Sequence, residues 1–108
     1  AVGLIGYSQG ARRAESLAAL LPARYPRVAL IAQMDEPGVE KLGHTRRLLL
    51  VAGELDRRDH IQSGARKLAQ AGIDVRFELL PGAHHGEYGP EAQNVMARAL
   101  DWLYTEVP

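Results

Sequence analysis

Close to the start of the chain stands Gly6-Tyr7-Ser8-Gln9-Gly10, a serine set between two glycines directly behind the apolar run Ala1 to Ile5. Gly-x-Ser-x-Gly has a mechanical rationale where a strand reverses sharply into a helix, because the turn lifts the serine Oγ clear of the sheet edge. A serine hydroxyl is too weakly acidic to attack a carbonyl unaided. It needs an imidazole to take its proton and a carboxylate to hold that imidazole in the right tautomer. The chain offers an adjacent pair, His84 and His85, in a Gly-rich stretch, and Asp56 between serine and histidines. The order serine, aspartate, histidine is the one expected for a strand-turn-helix nucleophile. Asp35 and Asp59 compete for the carboxylate role, with Asp59 read as a helix N-cap or a solvated charge. Only one of His84 and His85 can take the base position, since neighbouring side chains on an extended loop point to opposite sides. His44 and His60 read as surface residues.

The elements that must position these groups alternate between short apolar runs and stretches of helical period. Strands are expected over Val2 to Ile5, Val28 to Ala32, Leu48 to Ala52 and Val75 to Leu80. The third is continuous in apolar character, as expected when both sheet faces are covered. Helices are expected over Gly10 to Leu21, with Ala11, Ala14, Leu17, Ala18 and Leu21 inward, and over Ile61 to Ala71, with Ile61, Ala65, Leu68 and Ala69 inward. Gly72 reads as the stop of the latter helix. A last helix is expected to start at Pro90 and to bury Val95, Met96, Ala99, Leu100 and Leu103. Met34 to Thr45 reads as an irregular connection. The expected fold class is α/β, a parallel sheet of about four strands with helices on both faces, in a single domain.

In such a sheet the loops leaving the C-terminal ends of strands form the site. Ser8 leaves strand one, Asp56 strand three and the histidine pair strand four, so hydroxyl, carboxylate and imidazole share one edge. With strands in sequential order, strands one and four lie about 15 Å apart. The loop Pro81 to Gly89 can span much of that distance at about 3.3 Å per residue. The first helix presents its N-terminal amides, that of Gln9 included, to a developing oxyanion. Tyr7 and Gln9 are candidates for the pocket lining, and packing accounts equally for Tyr7. Met34 to Glu36 reads as a solvated loop on the same edge.

"GYSQG", "LLLVAGELD" and "ELLPGAHHG" resemble the nucleophile elbow, acid loop and histidine loop of the alpha/beta-hydrolase superfamily, particularly its small esterase, thioesterase and dienelactone-hydrolase-like branches. The resemblance runs over nearly the whole chain and matches the C-terminal half of the family fold. It implies a serine hydrolase acting on a carboxylic ester or thioester through an acyl-enzyme, with no cofactor and no metal. It implies Ser8 as nucleophile, Asp56 as acid and His85, the histidine just before the glycine, as base, with His84 as the alternate. Asp35 is the alternate acid, since some lipase-like relatives place it after that strand. The Gln9 amide would serve the oxyanion hole, while the second donor would come from upstream. The first strand would then have an open side at Val2 to Ile5, covered by a missing N-terminal half or by a second copy.

Composition narrows the alternatives. Lys plus Arg and Asp plus Glu both number 13, so no field of one sign recruits nucleic acid. Arg12-Arg13, Arg46-Arg47 and Arg57-Arg58 read as solvated pairs. No cysteine is present, which excludes disulfides and thiolate chemistry and leaves the compartment open. Apolar runs such as Leu48 to Ala52 fall far below the about 18 residues of a membrane helix. The rival to a hydrolase is a non-catalytic fragment or interaction module of the same type. A flavodoxin-like domain, binding phosphate at the Gly6 to Gly10 turn, is a weaker one, because no nucleotide-loop motif accompanies the turn.

Overall fold

The computed structural model describes residues 3–105. Its elements alternate in chain order: β1 (Gly3–Tyr7), α1 (Gln9–Leu20), β2 (Arg27–Ile31), α2 (Val39–Leu42), β3 (Arg47–Gly53), α3 (Asp59–Gln70), β4 (Asp74–Leu80) and α4 (Ala92–Tyr104). The sheet is parallel throughout, in the order β1-β2-β3-β4. Every residue of β2 and β3 is buried, because helices cover both faces of these central strands. On one face Ala11, Ala14 and Ala18 of α1 join Ile61 and Leu68 of α3 over Val28, Leu30, Leu48 and Leu50. On the other, Val95, Ala99 and Leu103 of α4 pack on Ala29, Leu49 and Val51.

Several expected details shift. Met34 to Thr45 is not wholly irregular, since it contains the short α2. The last helix begins at Ala92 behind Glu91, so Pro90 precedes it instead of opening it. Asp59 is the first helical residue of α3 and Arg58 the cap, so Asp59 does not fill the N-cap position. Leu21 caps α1 and is exposed, and Glu15 takes a buried place on that helix. On α3 the buried set is Ile61, Gly64 and Leu68, while Ala69 faces outward. Gly64 is buried because α3 passes so close to the connection before α2 that a Cβ there would stand 2.5 Å from the Pro37 ring. Gly72 does end α3. At φ 94° it sends its N–H to the Ala69 carbonyl, while the Ile73 N–H reaches Leu68.

The arginine pairs are not all solvated. Arg27 and Arg47 are paired in register at the N-terminal ends of β2 and β3, and both are buried. Arg27 donates to the Leu103 and Thr105 carbonyls, and Arg47 to those of Trp102 and Thr105. These carbonyls lie in the last turn and cap of α4, and that of Trp102 also accepts from the Thr105 N–H at 3.3 Å. β1 lies at the sheet edge, where Ile5 is half exposed. Val2, also assigned to this strand from the sequence, lies outside the described residues.

The two glycines around Ser8 differ in what they allow. A Cβ on Gly6 would stand 2.4 Å from the Gly10 carbonyl oxygen and 2.6 Å from the Ala11 Cα, whereas one on Gly10 meets nothing within 4 Å. Gly6→Ala is expected to cost about 3 kcal/mol or more, as other overpacked backbone contacts do. Gly10→Ala is expected to gain up to about 1 kcal/mol, because alanine is the better helix former. Urea unfolding of both variants checks the contrast.

Candidate functional site

Ser8 occupies the residue between β1 and α1 with φ 54° and ψ −114°, a left-handed conformation rare outside glycine. Its N–H donates to the Ile31 carbonyl at 2.7 Å, fixing the turn to β2. Although Ser8 is the N-cap of α1, its side chain makes no capping hydrogen bond. The Oγ lies instead 3.1 Å from His85 Nε2. His85 Nδ1 lies 2.8 Å from Asp56 Oδ2. The carboxylate can only accept, so Nδ1 carries the ring proton and Nε2 is left to accept from the Ser8 hydroxyl. Asp56 is held in turn by the Arg57 N–H, which donates to Oδ1 at 2.7 Å.

The loop that carries His85 is built against the one that carries Asp56. Gly53, at the end of β3, has the Ala83 carbonyl where a Cβ would be, at 2.4 Å. The Leu55 N–H donates to that same carbonyl, and the Gly82 N–H donates to Glu54 Oε1 at 3.0 Å. Glu87 accepts from the His84 N–H at 2.9 Å, closing a small turn around Gly86, whose φ is 84°. The turn sets His84 and His85 apart. The structure joins His85 to Ser8 and Asp56 and leaves the His84 ring exposed. Asp35 also stays apart, paired with Arg12 at 3.2 Å.

Other residues on this edge make contacts that the sequence reading did not assign to them. His60 is not a plain surface residue: its Nε2 donates to the Gln33 carbonyl at 2.7 Å. Gln33 is buried and donates from Nε2 to Glu15 Oε1 at 2.8 Å, while Glu15 Oε2 accepts from the Gly38 N–H at 2.8 Å. That buried carboxylate ties α1 to the connection between β2 and α2. The signal for it was a charge inside the stripe Ala11, Ala14, Ala18; Gln33 offered none, directly after an apolar strand. Tyr7 packs the site's edge. Its ring stacks on Tyr88 of the histidine loop with centroids 5.6 Å apart.

Two hollows flank the Ser8–His85 contact. One of about 360 Å³ is lined by Ser8, Gln9, Arg12, Arg13 and Met34. The other, of about 300 Å³, is lined by Gln33, Met34, Asp56, Arg57, His60 and His85. Met34 is exposed and borders both. A larger hollow of about 470 Å³ around Pro37 and Gly38 contains neither Ser8 nor a histidine. Among the described residues no group of three or more His, Cys, Asp or Glu stands in position to hold a metal ion. No described helix is long and apolar enough to cross a membrane.

Among the described residues the Tyr7 hydroxyl is buried without a hydrogen-bond partner. Its pKa is raised above the ordinary tyrosine value, first by burial and then by repulsion from Tyr88 and Asp56. Above about pH 10 the unfolded chain gives up this proton while the folded chain keeps it. The contribution is therefore fully present below about pH 10 and is lost as pH rises through the folded value. Tyr7→Phe keeps the ring and removes the orphan hydroxyl. It is expected to gain about 1 kcal/mol near neutral pH and to flatten the alkaline decline, measured by urea unfolding at about pH 7 and about pH 11.

No protein-family model matches the sequence, and no curated protein matches it. Solved structures do match in shape. S-formylglutathione hydrolase FrmB from Staphylococcus aureus superposes with a TM-score of 0.66 at 16% identity, over 94% of this chain and 50% of that one. Carboxyl esterase 2 from Tuber melanosporum gives 0.65 at 17%, over 85% and 49%, and SOBER1 from Arabidopsis thaliana 0.59 at 23%, over 89% and 51%. The chain thus spans about half the length of these three structures, and 19% and 36% of two longer ones. At these identities the likeness concerns the fold. The chain thus shares the α/β fold of these esterase and hydrolase structures, of which it spans a part.

Proposed function

We propose that the chain carries the catalytic residues of a serine hydrolase acting on a carboxylic ester or thioester. The observation that supports this is the unbroken series from Ser8 Oγ through the His85 ring to Asp56, at 3.1 and 2.8 Å, set on a strained turn that frees the hydroxyl from capping. Ser8 Oγ attacks the carbonyl carbon as its proton passes to His85 Nε2. The carbonyl electron pair moves onto oxygen, where the Gln9 N–H, in the first turn of α1 whose amides have no intrahelical acceptor, donates to it. Collapse expels the alcohol or thiol, which takes the proton back from His85. Water then attacks the acyl-enzyme, passes a proton to His85, and the acid leaves as Ser8 regains its hydroxyl. Asp56 keeps Nδ1 protonated and stabilises the imidazolium between the two proton transfers. The names carried by the matched structures, a carboxyl esterase and an S-formylglutathione hydrolase among them, agree with this reaction class.

A second reading rests on the share of the matched structures that this chain covers, together with a single amide donor for the oxyanion. In it the same residues belong to a piece without turnover of its own. The open side of β1 bears on both readings. Unpaired edge groups and half-exposed Ile5 favour addition of a further strand, from the same polypeptide or a second copy. Light scattering is expected to show association when the 108 residues are isolated. A stable monomer with fast-exchanging β1 amides would contradict it.

Hydrolysis of p-nitrophenyl acetate and labelling by a fluorophosphonate probe test the chemistry. Ser8→Ala and His85→Ala are each expected to lower kcat/KM by about 10³-fold or more and to similar extents, because nucleophile and base act as one unit. His84→Ala is expected to be mild. Absence of both turnover and Ser8 labelling would favour the non-catalytic reading, and the reverse ranking of the histidines would reassign the base.

A further inference from the structure

The hollow that contains Ser8 has a charge of its own. Gln9, Arg12 and Arg13 are spaced i, i+3 and i+4 on α1, so they share one face over about one turn, some 5 to 6 Å. With Ser8 and Met34 they line the 360 Å³ space, and no carboxylate is among its walls. The two guanidiniums are not equivalent. Arg12 is engaged by Asp35 at 3.2 Å, whereas among the described residues Arg13 has no acidic partner within ion-pair distance. The wall therefore presents about one uncompensated positive charge, one helical turn from the Gln9 amide.

We propose that this hollow selects esters or thioesters carrying a carboxylate a few bonds from the scissile carbonyl, with Arg13 as the specificity-determining residue. The inference rests on the hydrolase reading of Ser8. One unneutralised guanidinium matches a monoanion better than a phosphate monoester, which carries about −1.5 to −2 at neutral pH. Two methylenes beyond the scissile carbonyl set a carboxylate roughly 4 Å from it, within reach of a guanidinium fork one turn along α1. Met34, more than half exposed at the rim, offers an apolar flank to those methylenes.

The test compares p-nitrophenyl hemisuccinate with p-nitrophenyl butyrate, which differ chiefly in the terminal carboxylate. The wild-type chain is expected to favour the anionic ester in kcat/KM, through KM, with the preference shrinking as salt is raised. Arg13→Gln is expected to lower the anionic-to-neutral ratio about two- to fivefold and Arg13→Glu further. Arg66→Gln, a charge loss on α3 outside both hollows, should leave the ratio in place. Turnover of both esters with a ratio that Arg13 does not change would overturn the inference and leave the hydrolase reading standing. If neither ester is turned over, that reading fails, and binding alone decides the inference. Monoethyl succinate binding to Ser8→Ala more tightly than ethyl butyrate, seen as amide shifts at Gln9 to Arg13, would uphold it. Equal or absent binding would overturn it, as would inorganic phosphate displacing monoethyl succinate at lower concentration than succinate does.

Discussion

The structure turns on how tightly the chain reverses at Ser8. A non-glycine residue at φ 54° and ψ −114° carries strain on the order of 1 to 3 kcal/mol, which persists only where its surroundings hold it. The Ser8 N–H bonded to Ile31 holds it from the side of β2. The close approach of α1 over Gly6 holds it from above, and that approach requires the small residues Ala11 and Ala14 facing the strand. A larger side chain at any of these positions would push α1 outward and widen the turn. The Oγ would then fall back toward the capping position that serine ordinarily takes.

That turn matters only because a second loop meets it from three strands away. Reach comes from chain length, but position comes from contacts. The histidine loop crosses Gly53 where no Cβ intervenes and is fastened through Glu54 and Glu87 to its own backbone and to the acid loop. The Tyr7–Tyr88 stack then ties it back to β1, one residue before Ser8. Ser8 and His85 are thus coupled through side chains outside their own contact, and a one-residue change in the loop would alter the 3.1 Å distance between them.

Buried positive charge is gathered at the opposite end of the sheet. Arg27 and Arg47 lie side by side at the N-terminal ends of the central strands, with Trp102 over the Arg47 guanidinium at 5.0 Å. Their donors serve the carbonyls at the end of α4, where the helix dipole also favours positive charge. Buried cations of this kind are tolerated because each is hydrogen-bonded and Arg47 is also paired with Asp74 at 3.1 Å. The strained, partly open edge carries the candidate site, and the well-satisfied edge anchors the helix that covers the sheet.

The linear sequence determined the order of elements, the parallel α/β architecture and the edge on which Ser8, Asp56 and the histidine pair must meet. These follow from short-range physics: apolar runs of strand length, a 3.6-residue period, glycine at turns, and loops leaving strand ends. Gly72 stopped its helix as its neighbours predicted, and the alternation of β and α set the crossovers. What only the tertiary structure decided are the pairings between residues far apart in the chain. Which histidine faces Ser8 depends on the turn that Glu87 and Gly86 impose, and nothing in "AHHG" alone distinguishes the two rings. Arg47 resembles any surface arginine until α4 brings its carbonyls over it, and Glu15 any solvated helix charge until Gln33 and Gly38 supply donors. A polar group is placed inside or outside by whether partners reach it, and those partners come from elements that only folding brings together.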